Sequence, residues 1–314
     1  MKISLILPPV FLNRLETLIP DEKKDAVYTS FLYPRVTGVR INTVKANKDK
    51  TIASLEKQNF SFSKLTWFSD GFIFLGDKNE LQETEEYKNG LIYFQSISSM
   101  LVPLVVDPHE NDVILDMCAS PGSKTTEIAA LMKDSGKIIA NDRSRARLFK
   151  LRENVKLLGI SNTDVINFPG EMLWRKFPEV FNRVLVDVPC SMEGRFISGV
   201  EKTYKDWSPK KSKFLSQMQK KILHSAISCT KPGGVIVYST CTLSIEENEE
   251  VIDWILKKYP SLTVEKITLD LPECMSGYTA YEGKEFNQQL TNTLRILPSE
   301  RMEGFFIAKL IKNS

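Results

Sequence analysis

Apolar positions between residues 11 and 33 recur at Phe11, Leu12, Leu15, Leu18 and Ile19, and again at Val27, Phe31 and Leu32. This spacing predicts helices interrupted at Pro20 and closed before Pro34, because proline cannot donate to a helical ladder and disfavours helix in the residue before it. Val39 to Asn42 then reads as a strand and Lys48 to Gln58 as an amphipathic helix. Phe62 to Trp67 and Gly71 to Leu75 read as two strands around a Ser69-Asp70-Gly71 turn. Together these predict a small N-terminal domain over residues 1–90, helical at first and α+β after it.

From about residue 91 the pattern changes. Apolar runs at Val113 to Asp116, Lys137 to Asn141, Asp164 to Asn167, Arg183 to Val188, Val235 to Ser239, Leu262 to Ile267 and Gly304 to Ile311 are separated by helical stretches near 123–133, 144–157, 210–229 and 245–258. Such alternation is the signature of a parallel sheet with helices on both faces. It predicts a doubly wound α/β domain of seven strands over residues 91–314. Ligands of such sheets bind beyond the carboxyl ends of the strands, so chemistry is to be sought there.

Composition narrows the class. The 314 residues are 42% hydrophobic and 26% charged, as in soluble globular proteins. No apolar run reaches the ~18 residues a membrane helix needs, so no membrane partner is expected. Met1 to Val10 lacks a cleavage pattern, which predicts a cytoplasmic protein. Five cysteines are too few and too odd in number for a disulfide scaffold and imply reduced thiols. The two histidines, His109 and His224, exclude a site of three imidazoles, and no Cys-x-x-Cys pair exists, so no metal is expected. A net charge of +3 means that an anionic partner must be met by local patches.

The first predicted strand of the second domain ends in D-M-C-A-S-P-G-S-K-T, Asp116 to Thr125, where a helix begins. A strand, a turn of small residues and a helix N-terminus let backbone N–H groups approach a ligand closely. The turn is neither a Walker A loop, because Ser123 separates Gly122 from Lys124, nor a G-x-G-x-x-G. Asp142 closes the next strand, where a carboxylate can accept from ribose hydroxyls; a helix N-cap is an equally good reading of it alone. Ribose without pyrophosphate points to an adenosyl cofactor such as S-adenosylmethionine. The fourth strand ends in V-D-V-P-C-S, with Asp187 and Cys190, and the fifth in V-Y-S-T-C-T, with Cys241. A single buried cysteine is usually packing; two at the ends of adjacent strands, beside a carboxylate and facing the turn, point to chemistry.

These motifs, with A-N-D-R-S around Asp142 and E-E-N-E after Cys241, resemble in order those of the Sun (Nop/Sun) family of RNA cytosine-5 methyltransferases, over roughly residues 11–311. The resemblance implies a Rossmann-like class I methyltransferase sheet. It also implies that Cys118, Ala119, Ser120, Pro121, Gly122, Ser123 and Lys124 cradle S-adenosylmethionine, that Asp142 holds its ribose, and that Asp187 lies near the transferring methyl group. Cys241 would be the nucleophile that adds to cytosine C6, and Cys190 would assist release. A thiolate suits this step, since C5 becomes nucleophilic only after addition at C6. Two features depart from the family. Pro169 stands where an Asp reaches the adenine, and the chain ends after the last predicted strand, without the further RNA-binding region of the bacterial rRNA enzymes.

RNA is the implied partner, with rRNA favoured over tRNA and a monomer as the expected state. Lys202, Lys205, Lys210, Lys211 and Lys213, mixed with Arg195, Phe196, Tyr204 and Trp207, read as an RNA-contacting segment. Arg35, Arg40, Lys45, Lys48 and Lys50 read as a second surface. Two rivals carry over. One is a DNA-type enzyme with Cys190 as nucleophile, against which the Thr-Cys-Thr thiol and the N-terminal piece argue. The other is an RNA-binding ribosome assembly factor with vestigial methylation, to which Pro169 lends support.

Overall fold

A computed structural model of the chain describes residues 4–269 and 271–313; Met1 to Ile3 of the opening segment lie outside it, as do positions 270 and 314. Two short helices come first, α1 (Pro9–Leu18) and α2 (Asp21–Ser30), broken at Pro20 and finished before Pro34 as the spacing predicts. They do not pack on the N-terminal sheet. Phe11, Leu15, Leu18, Val27 and Phe31 are buried in the core of the second half of the chain.

The N-terminal sheet has four antiparallel strands, β1 (Thr37–Ile41), β2 (Phe62–Leu65), β3 (Phe68–Phe74) and β4 (Ile92–Phe94), in the order β2-β3-β1-β4. Helix α3 (Lys48–Lys57) and the short α4 (Lys78–Gln82) and α5 (Glu85–Lys88) complete it. The hairpin turns at Thr66-Trp67 rather than at Ser69-Asp70-Gly71, which lies within β3. Gly71 is there for space: a Cβ on it would sit 2.8 Å from both Leu65 Cδ1 and Phe68 Cδ1. That need, and not a turn, explains the glycine.

Helix α6 (Ile97–Val106) leads into a nine-stranded sheet. Five strands run parallel in the order β7-β6-β5-β8-β9: β5 (Val113–Asp116), β6 (Lys137–Asn141), β7 (Thr163–Ile166), β8 (Phe181–Asp187) and β9 (Thr230–Thr240). Helices α7 (Ser123–Leu131), α8 (Arg145–Leu157), α9 (Pro209–Cys229) and α10 (Glu249–Lys258) lie between or after them. Strand β10 (Leu262–Glu265) is followed by β11 (Cys274–Ser276), a small hairpin of β12 (Ala280–Tyr281) and β13 (Lys284–Glu285), β14 (Leu294–Ile296) and β15 (Phe305–Lys312). Strand β15 pairs antiparallel with β9, and its other edge takes β10 along one half and β14 along the other. The seven expected strands are all present. Strands β11 and β14 were not expected, since three residues give no readable period.

Alternate residues feed two cores. Val184, Val186, Ile236, Tyr238, Phe306 and Ala308 face α1, α2, α9 and α10, while Leu185, Val237, Phe305 and Ile307 face α6, α7 and α8. Helix α6 was not expected because it is buried almost all round and carries Pro103, so it shows no polar face. The N-terminal sheet rests on this helix, and Leu65, Phe68 and Ile73 join its core.

A buried polar chain ties the sheet to α7. Arg40 of β1 donates to Gln95 Oε1 at 3.1 Å and to Thr126 Oγ1 at 2.9 Å, and Gln95 donates to Glu127 Oε2 at 2.5 Å. Arg40, placed by the sequence on an RNA-facing surface, is only 1% exposed, because its side chain points to the α7 side of β1. Burial pushes the Glu127 carboxyl up to about 8 against the opposing charge of Arg40. At Glu127 the folded state therefore holds a proton that the unfolded chain has lost between the ordinary glutamate range and pH 8, and this group's contribution to stability falls as pH rises through that window. Glu127→Gln should flatten the slope of unfolding free energy against pH between 5 and 8. Urea melts across that range measure it, and an unchanged slope refutes the assignment.

Candidate active site

Strand β5 ends at Asp116, and the chain turns through Cys118 to Gly122 into α7. Gly122 adopts φ +106°, and a Cβ there would meet Leu151 Cδ1 at 2.8 Å, so the turn needs glycine twice over. Its own N–H is spent on Ala119 O at 2.7 Å. Asp116 is 1% exposed; its Oδ2 accepts from Thr125 Oγ1 at 2.7 Å while its Oδ1 has no partner. Burial pushes this carboxyl up to about 7, opposed by the Thr125 hydrogen bond.

Asp142 emerges from β6 one strand away. Its Oδ2 accepts from the Ser120 N–H at 3.3 Å and stands 3.4 Å from Arg147 Nη2, and its Oδ1 accepts from the Ser144 N–H at 2.9 Å. The N-cap of α8 is Ser144, whose side chain accepts from the Arg147 N–H, so Asp142 is not the cap. Buried Asn141 ties three strand ends, donating to Met117 O at 2.9 Å and Phe168 O at 3.0 Å. Pro169 follows as the N-cap of a short 3₁₀ turn, Gly170–Arg175.

The third group lies between β8 and β9. Asp187 and Ser239 are register partners, so Ser239 Oγ donates to Asp187 Oδ1 at 2.8 Å. Lys124, from the first turn of α7, donates to Asp187 Oδ2 at 2.7 Å. Burial disfavours the Lys124 ammonium, but Asp187 outweighs it and holds the group above the usual lysine range. Cys190 and Cys241, three residues after Asp187 and one after β9, meet with their Sγ atoms 3.2 Å apart. The contact with Cys241, with burial behind it, holds the Cys190 thiol well above the usual range.

These pieces surround one cleft of about 320 Å³. Its lining includes Cys118 to Pro121, Ser123, Lys124, Asp116, Asp187 and Cys241. Gly122, Asp142 and Cys190 are not among the residues that line it. Residues without an expected role also line it: Gln95, Ser96 and Ser99 around the start of α6, Arg147, and Phe305. The run F-Q-S-I-S-S-M carried a signal for the first group, a serine N-cap before an apolar helix, and Ser96 does cap α6. Arg195 reaches the cleft from the basic segment, donating to Glu303 Oε2 at 2.9 Å.

That segment divides. Lys202, Lys205, Lys210, Lys211 and Lys213 are exposed, and none makes an ion pair among the described residues. Of the aromatics beside them, Tyr204 and Trp207 are half-buried and Phe196 is turned inward. Phe196 is fully buried, its ring 4.9 Å from Phe11, and Trp207 donates to Glu193 Oε1 at 2.8 Å, because α1 needs an apolar seat there. On the N-terminal piece, Lys45 Nζ donates to Asn89 O and Leu157 O and Lys48 stands 3.6 Å from Asp70, so most of its cations serve the fold. Among the described residues no group of three or more His, Cys, Asp or Glu is placed to hold a metal, and no helix is long and apolar enough to cross a membrane.

Residues 103–311 match the family described as 16S rRNA methyltransferase RsmB/F, and residues 7–96 match the N-terminal domain of 16S rRNA methyltransferase RsmF. The chain is 34% identical over 315 residues to ribosomal RNA small subunit methyltransferase F of Erwinia tasmaniensis, covering 98% of this chain but 64% of that protein. It thus spans less than two thirds of that relative's length. It is 38% identical over 291 residues to the tRNA (cytosine(49)-C(5))-methyltransferase of Pyrococcus abyssi, covering 91% of each. The crystal structure of a methyltransferase homolog protein from Pyrococcus horikoshii matches it with a TM-score of 0.83 at 29% identity, over 98% of this chain and 100% of that one. The family match runs through the turn, both thiols and the closing strand, and the chain belongs to the RsmB/F methyltransferase family.

Proposed function

We propose that this protein methylates cytosine C5 in RNA with S-adenosylmethionine, using Cys241 as nucleophile and Cys190 in release. The observation that carries the reading is the pair of thiols in contact, with Cys241 on the cleft wall together with Asp187. The wall also fits the cofactor. Three of its cations already face carboxylates, Lys124 with Asp187, Arg147 with Asp142 and Arg195 with Glu303, which leaves Asp116 with a free buried oxygen. Such a wall offers an acceptor to an amine or sulfonium. The cofactor supplies an electrophilic methyl group.

The chain's own residues do the rest. Cys241 adds to C6 as the thiolate, so its proton leaves first. Lys124 and Arg195 line the same cleft as Cys241, cations that no neighbour in sequence supplies. Asp187, fixed by Lys124 and Ser239, is placed to orient the base. At release the C5 proton passes to Asp187 or solvent water as the C6–Sγ bond breaks, and Cys190, held as the thiol, shares its proton with the departing Cys241 thiolate across their contact. Asp142, shared with Arg147, is the ribose acceptor once that arginine yields. With Pro169 in place of a carboxylate, adenine contacts fall to other groups.

Ribosomal RNA is the favoured substrate, from the family match along residues 103–311. Transfer RNA is the second reading, since the tRNA enzyme of Pyrococcus abyssi is matched over 91% of both chains. Bisulfite sequencing of RNA from cells with and without the gene decides between them. The vestigial reading fails if calorimetry finds S-adenosylmethionine bound, because an assembly factor needs none.

Two further outcomes are expected. Cys241→Ala should abolish methylation and form no adduct, whereas Cys190→Ala should stall after methyl transfer and leave protein joined to RNA, seen as a ribonuclease-sensitive slow band on a denaturing gel. The reverse pattern would make Cys190 the nucleophile. Changing Lys210, Lys211 and Lys213 together to Gln should weaken RNA binding and flatten its salt dependence by up to ~3 log units per log unit of salt if all three meet phosphates. An identical slope removes them from the interface.

A further inference from the structure

The E-E-N-E segment after Cys241 is not used by the chemistry above, yet two of its side chains are fully buried against the two thiol loops. Glu247 Oε2 accepts from the Ser191 N–H at 3.0 Å and from Gln219 Nε2 at 2.8 Å. The same Gln219 nitrogen donates to Pro189 O at 2.9 Å. The peptide groups on either side of Cys190 are thus both fixed, one by Gln219 and one by Glu247. Asn248 treats Cys241 alike: its Oδ1 accepts from Thr240 Oγ1 at 2.6 Å and its Nδ2 donates to Thr242 O at 3.0 Å. Glu247, Asn248 and Gln219 are each 0% exposed. The loops also join directly, through Ser191 Oγ and Thr242 Oγ1 at 2.8 Å and through the Gly194 N–H to Cys241 O at 3.1 Å.

We infer that Glu247 and Asn248 are positioning residues that each hold one thiol, Glu247 with Gln219 fixing Cys190 and Asn248 fixing Cys241, so that their separation is set from a single turn. The inference rests on the roles of the two thiols proposed above. The geometry assigns the two neighbours opposite consequences. Loosening Cys190 leaves addition and methyl transfer intact and impairs release, while loosening Cys241 impairs addition itself. A displacement near 1 Å is worth on the order of 100-fold in such a step. Burial pushes the Glu247 carboxyl up to about 7, opposed by the Ser191 hydrogen bond, which agrees with an acceptor that works through an oxygen rather than through its charge.

The experiment measures adduct formation and breakdown on substrate RNA for Glu247→Leu, Glu247→Gln, Gln219→Met and Asn248→Ala, with Cys190→Ala run beside them. Glu247→Leu and Gln219→Met should accumulate the covalent band, with breakdown slowed on the order of 100-fold. Glu247→Gln should restore release, because one amide oxygen can accept from both Ser191 and Gln219. Asn248→Ala should lower the rate of adduct formation and accumulate none. A general structural defect would slow all four in both phases and leave Glu247→Gln no better than Glu247→Leu, which would overturn the inference. So would normal release in Gln219→Met, the milder variant should Glu247→Leu fail to fold. If Cys190→Ala itself traps nothing, the thiol roles fall and the clamp falls with them; trapping in Cys190→Ala alone refutes only the clamp.

Discussion

Everything in the cleft depends on the position of β8 between β5 and β9, with all three strands parallel. Parallel strands end on the same rim, so three sequence motifs more than 50 residues apart are delivered to one edge. The register sets the fine geometry: Asp116 stands beside Leu185, and Asp187 beside Ser239. Lys124 then reaches Asp187 from the first turn of the helix that follows β5. A one-residue slip would turn these side chains into the opposite cores, which are apolar on both faces.

The segment from Glu246 to Glu249 is the second constraint, and each of its side chains is committed. Glu246 pairs with Arg14 of α1, Glu247 and Asn248 bind the thiol loops, and Glu249 accepts from Arg295 of β14 through two bonds of 2.5 Å. Arg295 and Glu249 are 1% and 0% exposed, and such a pair adds little net stability while removal of one partner costs about 3–5 kcal/mol. The α1 helix, the thiols and strand β14 are thereby linked through four consecutive residues.

Several of the chain's cations work inside the fold. Arg40, Lys45, Arg183 and Arg295 all satisfy groups of the fold, Arg183 by donating to Asp112 Oδ2 at 2.6 Å and Val106 O at 2.8 Å. Lys210, Lys211 and Lys213, none in an ion pair among the described residues, stand in the first two turns of α9, whose first turn holds no acidic residue. A cationic cluster at the positive end of a helix repels itself and attracts anions. That is the local patch that a net charge of only +3 requires.

The sequence by itself determined the fold class, the seven strands of the main sheet, the breaks at Pro20 and Pro34, and the three strand-end motifs, because period, proline and short-range turns are local. It also marked Asp116 to Lys124, Asp187, Cys190 and Cys241 as residues of one rim, since parallel strands leave no other place for them. It misplaced the β2–β3 turn, because a glycine needed for close packing looks like one needed for a bend. It sent Arg40 and Phe196 to the surface, because buried and exposed forms of these residues look alike until their partners are in place. Only the tertiary structure decided that α1 and α2 pack on the second sheet, that Cys190 and Cys241 meet with only Cys241 lining the cleft, and that Glu247 and Gln219 bracket Cys190. Those outcomes are contacts between residues far apart in the chain, and no local pattern encodes which distant side chain will fill a given space.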